Sequence, residues 1–213
     1  MRKLYAIEDL NFFVYDVSIT VIYNNEIVKN RIIRNFREHN FFIIDSKDII
    51  SNKSVSEYLK ANKFNMKMVP YFNLEKIISK KLRNLSYRER IYLKTIILIT
   101  TIKLTYIFDD ILTFLNEDEK NIIIKYLKDN NLNFLNITSD IDEVLFTNYL
   151  IVLTKGGVAI EGNTKNVLKE EKLLKKLGFS LPFTYDLSLQ LMSYGLLDKP
   201  YYSVDRLVNN LWK

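Results

Sequence analysis

An α/β fold is predicted, with parallel strands at the centre of a mixed sheet, helices around it and a helical C-terminal segment. Three observations point there. Segments of strand character alternate with segments of helical periodicity along most of the chain. The 213 residues, 48% apolar and 26% charged, have the proportions of a globular protein and the length to enclose a sizeable core. From residue 164 onward the alternation stops and only helical segments remain.

Residues 16–23 alternate and carry β-branched side chains, so they are expected to be a strand. Asn24 and Asn25 supply a turn, and residues 28–36 a helix with Val28, Ile32, Ile33 and Phe36 on one face. A short strand at 41–44 leads into a polar loop over 45–53. Ser54 is expected to open a helix running to residue 63, because Glu57 stands three residues on and completes a capping box. After the break at Pro70, a helix is expected over 74–82 with Ile77 and Ile78 on its apolar side. Ser86 and Glu89 repeat the capping-box spacing at the start of the next helix. A buried strand is expected over 104–108, ending in Asp109 and Asp110. A helix over 118–128, a strand over 133–138 and a helical stretch over 141–146 come next. Residues 150–154 and 158–161 flank Lys155-Gly156-Gly157 and form a hairpin. Helical segments at 164–177 and 184–194, and a last one from near Ser203, complete the chain.

Composition excludes several chemistries. Without cysteine there is no disulfide, thiolate metal site or thiol nucleophile, and one histidine, His39, leaves almost nothing from which to build a Ser-His-Asp triad or a histidine-rich metal cluster. The basic start is interrupted by Glu8 and Asp9 before any long apolar run, which is not the pattern of a signal peptide. The most apolar stretch, 91–108, is broken by Lys94 and Lys103. It falls short of the roughly 20 apolar residues of a membrane span and is expected to be buried helix followed by buried strand. The net charge of +6 is scattered, densest at Lys80, Lys81 and Arg83 and again at Arg88 and Arg90, with no aromatic-basic stripe. A nucleic-acid partner is not expected.

The most informative series runs from Leu85 to Gly162: Leu85-Ser86 at a helix start, then Tyr106-Ile107-Phe108-Asp109-Asp110, the strand before Ser139-Asp140, the run Ile151-Val152-Leu153, and Lys155-Gly156 with Glu161-Gly162. An apolar strand ending in an acid places that carboxylate at the sheet edge. In this order the series resembles an ABC ATPase from the signature motif through Walker B to the switch loop, without a gap from Leu85 to Asn116. The tail is similar to that of energy-coupling-factor ATPases in Glu161-Gly162-Asn163-Thr164, Leu177-Gly178-Phe179, Leu181-Pro182 and Pro200, and in the closing helix with Val204, Leu207 and Leu211. The resemblance implies an ABC-type nucleotide-binding domain, a P-loop NTPase-like sheet flanked by helices, over 1–163, with a helical dimerisation appendage over 164–213.

It also implies roles. Asp109 stands at the Walker B position that holds Mg²⁺ through water, and Asp110 replaces the catalytic glutamate one methylene short; misplacing such a group by about 1 Å costs on the order of 100-fold. By themselves the two acids would be read as a strand-end cap. Lys29 falls at the position of the phosphate-binding lysine, and an exposed lysine near a helix start is an equal reading. Asn30 and Arg31 stand where hydroxyl residues should come after it. Ser86 belongs to the signature, in which Tyr87 and Arg88 replace two glycines, and Ser139 replaces the switch histidine. Ile44-Asp45 stands at the loop that carries a glutamine in the family, and Phe12, Phe13 and Tyr15 are candidates for an adenine platform. All five glycines lie at 156 or beyond, so no glycine cradle for phosphates can exist in the first 155 residues.

The resemblance and these losses together imply a subunit with weak or no ATP hydrolysis, for which ATP with Mg²⁺ is at most a weak ligand. It would be a structural member of a membrane import complex. Its partners would be a second ABC ATPase subunit, in a heterodimer or homodimer, a transmembrane coupling protein and a substrate-binding membrane subunit. Its place would be cytoplasmic, at the inner face of the cell membrane. The alternatives are a still active ATPase using Lys29, Asp109 and Asp110, or a soluble regulatory or nucleic-acid-associated protein that kept the fold.

Overall fold

The structure, a computed structural model, describes residues 1–101 and 105–211. It is mixed α/β, with a central sheet and flanking helices, and divides into two compact units, Met1–Ile32 with Ile137–Lys213, and Ile33–Asn136.

The first unit opens with a hairpin, β1 (Lys3–Ile7) and β2 (Phe12–Tyr15), which sequence reasoning does not anticipate. Its turn has no glycine; Asn11 takes the positive φ of 50° instead, which asparagine tolerates better than most residues. β3 (Ile19–Tyr23) is buried along its whole length, shorter at its start than the expected strand. It pairs in parallel with β7 (Tyr149–Thr154), and β7 pairs antiparallel with β8 (Gly157–Asn163). Gly157 makes that turn possible: its φ is 101°, and a Cβ there would come within 2.5 Å of the Leu10 carbonyl oxygen.

Beyond β8 the chain is helical, but residues 164–177 are not one helix. They form α5 (Thr164–Lys169) and α6 (Glu171–Lys176), hinged at Glu170. α7 (Phe183–Ser193) and α8 (Val204–Leu211) complete the tail. Ile22, Leu150 and Val152 of the strands share one core cluster with Val167, Leu168, Leu174, Phe179, Leu181 and Tyr185 of this tail.

The second unit takes most of α1 (Glu26–Glu38), whose start belongs to the first unit, then β4 (Phe42–Ile44) and α2 (Val55–Ala61). Next come α3 (Tyr87–Thr101), β5 (Tyr106–Asp109) and α4 (Glu117–Asp129). β4 and β5 are parallel, with β6 (Phe134–Thr138), which crosses the unit boundary, on the other side of β5. Leu104, the first residue of the expected strand, lies outside the described residues. Both predicted capping boxes form: the Ser54 hydroxyl accepts from the Glu57 N–H, and the Ser86 hydroxyl from the Glu89 N–H, each at 3.2 Å.

The helix expected over 74–82 is absent; this stretch is a series of turns ending in a short 3-10 turn at Leu82–Asn84. Its carbonyls are used elsewhere. Val55 N–H donates to Lys80 O and Ser56 N–H to Ile78 O, each at 2.9 Å, which satisfies first-turn amides of α2 that lack intrahelical partners. Ile77 is buried all the same. The stretch over 141–146 is likewise a 3-10 helix rather than an α-helix.

Candidate functional site

The candidate residues fall in both units. In the first unit β3 delivers the chain to the Asn24-Asn25 turn and α1 begins at once. Asn25 caps it: its side-chain oxygen accepts from Val28 N–H at 3.1 Å. The Asn24 amide donates to Leu177 O at 2.6 Å, so the turn is tied to the C-terminal tail. Lys29 is buried, 9% exposed, which departs from the reading of an exposed lysine. Its ammonium stands 4.0 Å from the Glu26 carboxylate and 5.6 Å from the centre of the Tyr23 ring, and Tyr23 Oη donates to the same carboxylate at 3.0 Å. Asn30 is exposed, and Arg31, also exposed, forms an ion pair with Asp9. Ser139 is exposed just after β6.

Of the three candidate platform aromatics, Phe12 has no exposed surface and is a core residue. Tyr15 is buried against Tyr149, its hydroxyl donating to Glu161 at 2.9 Å; burial, then this bond, pushes its pKa well above the usual phenol value. Phe13 is half-buried with the Lys3 ammonium 3.4 Å from its ring centre.

In the second unit Asp109 is the last residue of β5 and is half-buried. Asp110 comes next in a left-handed backbone conformation, φ 53°, and its carbonyl accepts from the Thr113 hydroxyl at 2.6 Å. Ser86 is exposed and spends its hydroxyl oxygen on the cap of α3. The Glu89 carboxylate returns to Ser86 N–H at 2.7 Å. Burial pushes the Glu89 pKa up, but these bonds and the cations Lys80 and Arg88 outweigh it, and the group sits below the usual carboxylate range.

Sequence reasoning missed what joins α3 to the loop after β4. Arg90 grips the Asp48 carboxylate with two nitrogens, at 2.7 and 2.8 Å, and also reaches Leu85 O. Lys94 Nζ donates to Asp45 Oδ1 at 2.9 Å, to Asp45 O at 2.8 Å and to Lys47 O at 2.9 Å. Tyr87 Oη donates to Ser46 O at 2.7 Å. The Arg90 bond holds the Asp48 carboxyl below its ordinary pKa; burial pushes Asp45 up, but the Lys94 ammonium and the Lys47 N–H more than offset it. The signal was present in the spacing of residues 87, 90 and 94, which share one face of a helix.

The parallel strands, the flanking helices and an acid at the end of β5 define an ATP-binding-cassette nucleotide-binding fold. Solved structures share it: cbiO1 from Clostridium perfringens, part of the ABC transporter complex cbiONQ, superposes with a TM-score of 0.62 at 16% identity, covering 91% of this chain and 94% of that one. A nucleotide-free ATP-binding cassette from an ABC transporter superposes with a TM-score of 0.58 at 17% identity, covering 81% and 94%.

In sequence the chain is ABC/ECF-ATPase-like. It is 30% identical over 111 residues to the energy-coupling factor transporter ATP-binding protein EcfA1 of Mesomycoplasma hyopneumoniae (strain 7448), covering 50% of this chain and 39% of that protein. It is 24% identical over 173 residues to the EcfA1 of Mycoplasmopsis synoviae (strain 53), covering 77% and 61%. The chain thus spans between two-fifths and three-fifths of the length of these relatives. No family model matches it.

Proposed function

We propose that this chain serves as an ABC/ECF-type transporter subunit acting chiefly as a structural partner, with weak or no ATP hydrolysis of its own. The observation that carries this reading is the start of α1. A phosphate cradle needs consecutive backbone N–H groups free to curl around an anion, and glycines to let them do so. Here there is no glycine; the Asn25 side chain takes the Val28 N–H, Asn24 is bonded to the tail, and Glu26 places a carboxylate beside Lys29. No hydroxyl stands after Lys29 to hold Mg²⁺, since Asn30 and Arg31 come next and Arg31 pairs with Asp9. The residues present do not fit an ATP-Mg²⁺ site of the usual kind.

In this reading residues 1–163 are the cassette-like part and 164–213 a helical appendage for pairing with a second ATPase subunit. A membrane coupling protein and a substrate-binding membrane subunit complete the complex, which places the chain at the inner face of the membrane. No helix among the described residues is long and apolar enough to cross a membrane. Two observations favour the second reading, a still active ATPase: Lys29 is buried at the start of α1, and an acid still ends β5.

Calorimetric titration with ATP and Mg²⁺, with Lys29→Ala alongside, decides between them. The expected result is no binding tighter than about 1 mM, roughly −4 kcal/mol. Micromolar binding that disappears in Lys29→Ala would mean that Lys29 still grips phosphate and would overturn the reading of a dismantled site; phosphate release measured on the same two proteins would then test the second reading.

A further inference from the structure

The geometry points to Tyr87 as a clamp that makes the loop over 45–48, the first turns of α3 and the turn after Asp109-Asp110 move as one body. The inference rests on the second unit alone and stands whether or not the chain hydrolyses ATP.

Tyr87, the first residue of α3, makes two contacts in different directions. Its hydroxyl donates to Ser46 O at 2.7 Å, and its ring meets the Phe114 ring edge-on, with centroids 5.5 Å apart and planes at 83°. Phe114 closes the 3-10 turn Leu112–Phe114 that comes after the paired acids. One side chain therefore ties a loop before α3 to a turn after β5.

Each side of the clamp is reinforced by a neighbour on α3. Toward the loop, Arg90 holds Asp48 with two nitrogens and Lys94 holds Asp45. Paired, forked contacts of this kind fix orientation as well as distance. Toward the turn, Arg88 stands 3.6 Å from Glu119 in the first turn of α4. A partner that displaces the loop displaces the turn beside Asp110 with it, and the reverse also holds.

Hydrogen exchange on the full chain tests this, read at residues 45–49 and 111–116, with the amides of β3 as a control for general unfolding. Tyr87→Phe removes only the hydroxyl contact. It should speed exchange about fivefold, as expected for losing one hydrogen bond, at 45–49 and also at 111–116. Phe114→Leu removes only the ring contact and should speed exchange in the distant loop as well as in its own turn. Asp48→Asn touches neither ring and serves if either aromatic variant loses protection in β3; it too should loosen 111–116. A response confined to the segment whose own contact was removed, or no response, would overturn the clamp and leave local contacts in its place.

Discussion

Asp110 occupies a left-handed backbone conformation in which most side chains are disfavoured by about 1–2 kcal/mol, while asparagine and aspartate are tolerated. Its identity is therefore tied to the backbone as well as to any role in chemistry. Asp110→Asn should leave stability within about 0.5 kcal/mol, whereas Asp110→Val should lose about 1–2 kcal/mol, both read from urea midpoints. Equal midpoints would show that the conformation imposes no constraint. Gly157 makes the same argument more strongly, because its substitution adds a collision with the Leu10 carbonyl to an unfavourable φ. Gly157→Ala should cost more than about 1 kcal/mol in the same measurement. For the candidate acids, the sequence made legible only their place, Asp109 ending an apolar strand and Asp110 next to it. It could not show that Lys29 is buried beside Glu26, that Arg31 is paired with Asp9 or that Asp110 has positive φ. Those depend on contacts and dihedral angles that no local pattern encodes.

Elements were legible where their signals are local. The two capping boxes are set by residues three apart, and both form; Ser54→Ala should lower stability by about 1 kcal/mol, measured as a shifted urea midpoint. The stretch 74–82 is not legible as turns because its fate is decided from outside, by two N–H groups of α2 that take the carbonyls of Ile78 and Lys80. The break at Glu170 likewise carries no glycine or proline to mark it, and it lets Val167, Leu168 and Leu174 enter one cluster. The loop over 45–48 gives a pH-dependent prediction. Asp45 and Asp48 both have folded-state pKa values below their ordinary ones. Their contribution is therefore present above the unfolded value of about 4 and is lost as pH falls through the lower folded values. Stability should decline with acid below about pH 4, and less steeply in an Asp48→Asn variant, which has already lost one of the two carboxylates. Parallel slopes for the two proteins would remove Asp48 from the account.

At the scale of the whole chain, the alternation of strands and helices made the α/β class readable, because it depends on hydrophobic period more than on any one contact. Which segments share a core is a different kind of information. Residues 164–185 look in sequence like a helical extension with ordinary amphipathic leucines. In the structure Val167, Leu168, Leu174, Phe179, Leu181 and Tyr185 are buried in the same cluster as Ile22, Leu150 and Val152 of the first unit. Full burial of one such side chain is worth about 1.5–3 kcal/mol, so six together are comparable to the whole net stability of a typical domain, about 5–15 kcal/mol. Asn24 adds a polar tie from the turn before α1 to Leu177. A chain ending at residue 163 would leave the faces of β3 and β7 that meet this cluster exposed to water. It should lose cooperative unfolding in urea and bind a hydrophobic dye more strongly than the full chain does. A truncated chain that unfolds cooperatively at an unchanged midpoint would mean the cluster adds nothing to the strands beneath it. The smaller substitution Leu174→Ala, expected to cost about 2–5 kcal/mol, tests the same packing without removing the tail. If it is silent while truncation is not, the tail acts through its other contacts, the remaining side chains of the cluster or the bond from Asn24 to Leu177.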